Sequence, residues 1–358
     1  MSITNTKLMK CCPHDSSWVT MTQLTATKTL VGYSNNSNGN LYAQILTTVD
    51  NKTVAAAPVV CNKHTVTSVY FVPLVSEDKV IAIYKTNSDV YAQSLYFNND
   101  EIVPATPVKI SMDENIRSIS ISQISNNKVI MCYSHYNNGS SYINAQLITL
   151  EDKSIIPLKP VELIPYSGYH YEYISTVVLS EDKVLMCFRN NNDNSMYAQV
   201  IHIVKDTIIP CIPVKCSNDN PKYITLTKLK NNKVLVLYSN ANKDGCLYTQ
   251  ILNVENENIE VSEPKQFNNE YSAYMVTVPL IPNNDKEVLL AYKSLNSIWV
   301  QRLTIDTNDN VITTDSSKID NIDPYWINMV QLSKDKVLLC YDDGKKNYRI
   351  YSTMLTLS

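Results

Sequence analysis

Arginine is scarce in this chain, confined to Arg117, Arg189, Arg302 and Arg349, and 31 basic residues against 34 acidic ones leave a formal net charge of −3. Nucleic-acid binding needs clustered Lys and Arg that displace counterions, so that class is disfavoured. No segment holds about 18 consecutive apolar residues, which excludes a membrane-spanning helix. The first twelve residues lack an apolar core behind a basic start. The expectation is a soluble protein without a classical export signal: cytoplasmic, or a virion or toxin-complex component released without one.

Paired CxxC motifs, an EF-hand loop, a nucleophile elbow and a glycine-rich phosphate loop are all missing. Nine cysteines are present. Three of them, Cys132, Cys187 and Cys340, each stand one residue before an aromatic, which reads as buried small hydrophobes in a reduced protein. Cys11-Cys12 and Cys211 with Cys216 match no zinc spacing, and the five histidines are scattered. No metal, no cofactor and no enzymatic activity are expected.

What is there is a repeat. A strand of the form D-K-V-L-x-C-Y is followed by a turn and a strand of the form L-Y-A-Q-I-L. Its aromatic anchor falls at Tyr33, Tyr84, Tyr133, Phe188, Tyr238, Tyr292 and Tyr341, between 49 and 55 residues apart. Glutamines at 44, 93, 146, 199, 250 and 301 mark a second column, with Ser352 in the last copy. Each unit contains four strand-like runs, a to d, rich in Val, Ile, Thr and Tyr. Short polar turns such as Glu77-Asp78-Lys79, Glu181-Asp182-Lys183 and Asn231-Asn232-Lys233 join a to b. Their acids are turn formers, not catalytic carboxylates. Gly39, Gly139, Gly245 and Gly344 supply positive φ in the b–c turns. Pro-Val pairs at Pro58, Pro107, Pro160 and Pro213 place strand d at the sheet edge, because proline has no N–H to donate.

Four antiparallel strands repeated seven times without helical periodicity predict an all-β, seven-bladed β-propeller of four-stranded blades around a central channel, one domain over residues 1–358. The seventh copy stops after its strand c, and an orphan stretch Ile3–Cys11 precedes the first strand a. The N-terminal strand is therefore expected to complete the last blade, leaving no open edge.

Aligning the a strands places Trp18, Ser68, Ser118, Tyr173, Tyr223, Tyr274 and Trp326 in one column, with Tyr325 beside the last. These aromatics stand where the variable b–c and d–a loops emerge, next to Asn35, Arg189, Asn190 and Asn240. The C–H face of a saccharide suits a tyrosine or tryptophan ring, and amides suit its hydroxyls. Trp18, Tyr173, Tyr223, Tyr274, Tyr325, Trp326, Asn35, Arg189, Asn190 and Asn240 are the candidate ligand-binding residues, and no catalytic residue is assigned. The anchors from Tyr33 to Tyr341 read as packing.

Repeats such as Asn232–Leu252 (NKVLVLYSNANKDGCLYTQIL) and Asp182–Val200 (DKVLMCFRNNNDNSMYAQV) resemble the units of bacterial and bacteriophage propellers, among them tail receptor-binding proteins and propeller lectins. The resemblance implies a multivalent, non-enzymatic glycan-recognition module with sites near blade junctions. Glycans or glycoconjugates are its expected partners, without membrane insertion and within a possible larger assembly. Two other readings stay open: a protein-interaction scaffold, and a hydrolase or lyase acting on a polysaccharide. Six-bladed sialidases use an arginine cluster and repeated S-x-D-x-G-x-T-W turns, neither of which stands in this chain.

Overall fold

The structure, a computed structural model, describes residues 3–73, 79–98, 101–111, 113, 115–137, 139–151, 154–167, 171–280, 286–320, 322–346 and 348–358. Glu77 and Asp78 of one expected turn lie outside them. Strand b of each repeat is apolar at successive positions, the pattern of a strand covered on both faces. In the fourth repeat Val184, Leu185, Met186 and Cys187 are all fully buried. Val184, Met186 and Phe188 pack with Ile130 and Cys132 of the third repeat. Leu185 and Cys187, pointing the other way, pack with Val234, Val236 and Tyr238 of the fifth. Each such side chain contributes about 1.5–3 kcal/mol by leaving water.

The strands pair into seven antiparallel sheets, one per repeat, in the order a-b-c-d. The fold is an all-β seven-bladed propeller with four-stranded blades. In the first blade, strand a is Ser16–Gln23, b is Lys28–Asn35 and c is Leu41–Val49. In the last blade, strand c (Arg349–Leu357) pairs with Ile3–Asn5 and Met9–Lys10 in the register Ile3↔Leu357 and Met9↔Ser352. The N-terminal residues do complete that sheet.

Strand d differs from the expectation of one continuous edge. It is broken into two segments that both pair with strand c, as in Lys52–Ala55 and Val59–Asn62. Proline stands in the break at Pro58, Pro107 and Pro213. The carbonyls freed by the break are taken up by the glutamine column. Gln44, Gln93, Gln199 and Gln250 donate through Nε2 to Ala56, Ala105, Cys211 and Ser262 at 2.6, 2.7, 2.7 and 3.0 Å. Each also donates to a carbonyl of the preceding blade's outer strand: Cys11, Cys61, Leu163 and Cys216 respectively. In the last blade the register places Thr353, not Ser352, at this position. Its hydroxyl donates to Thr6 O at 2.9 Å, in the gap between the two N-terminal segments.

The aromatic anchors are buried to 4% exposure or less. Most stack on the aromatic opposite them in strand c, as Tyr33 on Tyr42, Tyr84 on Tyr91 and Phe188 on Tyr197, with centroids 5.7 to 5.9 Å apart. Tyr133 and Tyr238 hydroxyls donate to Asp113 and Asp219 in the d–a connections. Cys132, Cys187 and Cys340 are fully buried, and all nine cysteines are free thiols. Gly39, Gly139 and Gly245 have positive φ, whereas Gly344 lies in a 3-10 turn and Tyr348 takes the left-handed position instead. Chain contacts divide the protein into two compact units, Met1–Met112 with Val276–Leu303 and Thr314–Ser358, and Asp113–Met275 with Thr304–Thr313. Among the described residues no helix is long and apolar enough to cross a membrane.

Candidate functional site

Left-handed backbone is uncommon outside glycine, and for bulky side chains it is an outlier that costs about 1–2 kcal/mol. Trp18, Tyr173, Tyr223 and Tyr274 all adopt it, with φ of 59°, 53°, 54° and 50°. At Trp18, Tyr173 and Tyr223 the cause is a β-bulge at the start of strand a. Between Ser17↔Ser34 and Thr20↔Gly32, between Glu172↔Arg189 and Ser175↔Cys187, and between Lys222↔Ser239 and Thr225↔Leu237, one extra residue is inserted. A bulge re-aims the side chain it carries. In the second blade the column residue is Ser68, which pairs in register with Lys85, and the irregularity moves one step earlier. Neither Ser68 nor Ser118 has positive φ. The Ser118 hydroxyl instead accepts from the Ile174 N–H at 3.0 Å, helping to hold the bulge at Tyr173.

The rings of this column meet one another. In the unit containing Asp113–Met275, Tyr173 and Tyr223 lie 5.6 Å apart at 58°, and Tyr223 and Tyr274 5.0 Å apart at 54°. In the other unit Trp18 and Trp326 lie 3.8 Å apart at 31°. All five are half-buried. Burial pushes the Tyr223 hydroxyl well above the ordinary tyrosine range, with Tyr274, Tyr271 and Tyr173 adding to the effect. Tyr173 is raised by burial first and by Glu172 second. These phenols are therefore neutral near pH 7 and able both to donate and to accept.

Tyr325 extends the tryptophan pair. Its ring lies 4.6 Å from Lys293 Nζ and 5.8 Å from the exposed Tyr348 ring. Lys293 is ion-paired with Asp323 at 2.5 Å, with 13% of its side chain exposed. Asp342 Oδ1 accepts from the Tyr325 and Trp326 N–H groups at 2.8 and 2.7 Å, fixing the entry to strand a. Asp342 is fully buried and its Oδ2 has no hydrogen-bond partner. Burial pushes its carboxyl up to about 6, against the opposing pull of those two N–H groups.

The polar candidates occupy a different role from the rings. Asn35, Asn190 and Asn240 each end strand b and accept through Oδ1 from the N–H two residues on, at 2.8, 3.0 and 2.9 Å. Asn35 and Asn240 are buried. They shape the b–c turns beside the rings. Arg189 donates through Nη2 to Asn194 Oδ1 at 2.7 Å and stands 3.6 Å from Glu172, next to Tyr173. A depression of about 450 Å³ lies at the far end of the seventh strand a, lined by Gln23, Val278, Pro279 and residues 329–334. It holds no aromatic ring.

Sequence reasoning missed Tyr271, Lys293, Asp323, Asp342 and Tyr348. Gly245 carried a signal for Tyr271, because a Cβ there would stand 2.4 Å from its ring. Spacing also missed His202, Cys211 and Glu257, whose ligand atoms all lie within 4.8 Å of one another and could hold a metal.

No family model matches the chain, and no curated protein matches it in sequence. Solved structures do. A putative 6-phosphogluconolactonase from Bacteroides uniformis is 13% identical, with 90% of this chain and 94% of that one covered and a TM-score of 0.60. The polysaccharide lyase Uly1 is 7% identical, over 97% and 91%, at 0.55. The NanB sialidase from Streptococcus pneumoniae is 10% identical, over 100% and 70%, at 0.53. At these identities the likeness is one of fold. It corrects the expectation of no enzymatic activity, since the fold that this chain shares is carried by proteins named as enzymes. The physical reason is that a propeller assembles side chains from several blades, so missing short motifs say little. Here the fold brings Lys293, Asp323 and Asp342 to one place, which their spacing did not reveal.

Proposed function

We propose that the protein recognises carbohydrate through its two aromatic groups, Tyr173-Tyr223-Tyr274 and Trp18-Trp326. The observation that carries this reading is the left-handed backbone of four of these five residues. Strain of that kind persists where surrounding structure enforces it, and it clusters at binding sites. A half-buried ring with a neutral hydroxyl offers an apolar face for sugar C–H groups and a polar edge for sugar hydroxyls. The names sialidase and polysaccharide lyase among the fold's neighbours agree with a carbohydrate ligand. Two ring groups on one chain suit a repetitive glycan, because linked weak contacts gain avidity without any new interaction. Glycans on a cell surface are such a ligand.

Tryptophan fluorescence tests this directly. Of the three tryptophans, two form one of the ring groups. With Trp299→Phe removing the third, titration with oligosaccharides that bind the protein should give a saturable change in emission. Glycine at Trp18 and Tyr223, which suits their φ, together with Trp326→Ala, should weaken binding at least tenfold by titration calorimetry, since the reporting tryptophans are gone, while leaving the circular dichroism unchanged. Full binding by that folded variant would refute the assignment.

A further inference from the structure

We infer that His202, Cys211 and Glu257 form a binding site for a borderline-soft divalent cation of the Zn²⁺ class, tying the fourth blade to the fifth. His202 lies on strand c of the fourth blade (Ser195–Val204), and Cys211 follows the first segment of its strand d (Thr207–Pro210). Glu257 stands in the turn between strand c of the fifth blade (Cys246–Glu255) and the first segment of its strand d (Asn258–Val261). The imidazole nitrogen, thiol sulfur and carboxylate oxygen are mutually within 4.8 Å, with His202 Nε2 and Glu257 Oε1 3.9 Å apart. Bonds of about 2.0–2.3 Å to a tetrahedral zinc would put such donors roughly 3.3–3.6 Å apart. Closing that difference requires a shift of up to about 1.5 Å. Glu257, with 72% of its side chain exposed, can supply its share of that movement.

A second observation points to a ligand independently. His202 Nε2, the nitrogen facing Glu257, is buried and has no hydrogen-bond partner. A buried polar atom left unpaired costs about 1–3 kcal/mol, and a cation accepting its lone pair removes that cost. Two of the donors are already fixed. The Cys211 N–H donates to Val200 O at 2.9 Å and its carbonyl accepts from Gln199 at 2.7 Å. His202 is paired on both sides, with Lys183 and with Ile209.

Cys211 is also the accessible thiol of the chain, since the other eight cysteines are buried. Burial and the Glu257 carboxylate raise its pKa, whereas Lys183 opposes them. A bound divalent cation would reverse the first two effects by making thiolate the favoured form. Thiolate and carboxylate together match the two charges of the ion, against which the Lys183 ammonium beside Cys211 acts. Nitrogen, sulfur and oxygen donors in one set favour zinc over magnesium or calcium, which take oxygen ligands. Three protein donors leave one tetrahedral position for water.

The test uses the full chain and Co²⁺ as a spectroscopic probe. The expected result is one Co²⁺ per chain, with a thiolate charge-transfer band in the near ultraviolet that Zn²⁺ abolishes by displacement. Cys211→Ser should remove the band, and His202→Ala should reduce Zn²⁺ affinity at least tenfold. Glu257→Gln, on an exposed turn where folding is not in question, should weaken Zn²⁺ by about tenfold as well. Absence of a thiolate band in the unmodified protein, persistence of the band in Cys211→Ser, or unchanged Zn²⁺ affinity in Glu257→Gln would overturn the site.

Discussion

Gln250 shows how much one side chain does in this fold. Its Nε2 donates at 3.0 Å to Cys216 O in the preceding blade and at 3.0 Å to Ser262 O in the break of its own strand d. Leucine there keeps the volume but leaves two carbonyls without their donor. Gln250→Leu should therefore lower the unfolding free energy by roughly 2–3 kcal/mol in urea titrations. A loss under about 0.5 kcal/mol would mean that the bridge is dispensable. Asp342 gives a pH signature at the same scale. Its carboxyl is raised in the fold to about 6 from 3.8, so the folded state binds the extra proton between those values. Stability from this group is fully present at the acid end of that window and is lost as pH rises through about 6. Asp342→Asn retains the oxygen that accepts from Tyr325 and Trp326 and cannot ionise. It should match the wild type at the acid end and exceed it by roughly 3 kcal/mol above the window. Parallel denaturation curves across the range would contradict the assignment.

At the scale of the element, the outer strand of the last blade comes from the other end of the chain. Ile3–Asn5 and Met9–Lys10 cover strand c (Arg349–Leu357), and Thr6 bonds to Met354 and Thr353 between them. Removing residues 1–10 should expose that edge, lower the melting temperature and promote association seen by size-exclusion chromatography. A monomer of unchanged stability would show that the closure contributes nothing. This element was legible in the sequence, because a missing last strand and an orphan first one complete each other in any repeat of four. The break in strand d was not. Proline marked an edge, and only the paired geometry showed that Gln44 and its counterparts fill the gap. The substitution of Thr353 for glutamine was hidden in the same way, since a turn of different length shifts the count by one residue. The aromatic column was visible as residue type, whereas its left-handed backbone at Trp18, Tyr173, Tyr223 and Tyr274 was invisible, as bulges leave no fixed mark in composition. Lys293 and Asp342 share one repeat position, each directly after an anchor on strand b, whereas their meeting with Asp323 of a d–a connection between repeats left no mark in the sequence.

For the molecule as a whole, we propose that the seven repeats behave as one cooperative domain. Each strand b lends its two faces to different neighbours, as Met186 and Leu185 do, so no blade of that kind buries its core alone. Calorimetry should give a single transition whose van't Hoff and calorimetric enthalpies agree. Two separated transitions would instead assign independent stability to the two compact units. The proposed recognition also belongs to this scale, because the ring groups draw on Trp18 and Trp326 from opposite ends of the chain and on Tyr173, Tyr223 and Tyr274 from three successive repeats. The measurement that tests the central claim most directly is a glycan array probed with the labelled, folded, full-length protein. Saturable binding to a coherent family of glycans is the predicted result, and a blank array with protein shown to be folded would contradict the carbohydrate reading.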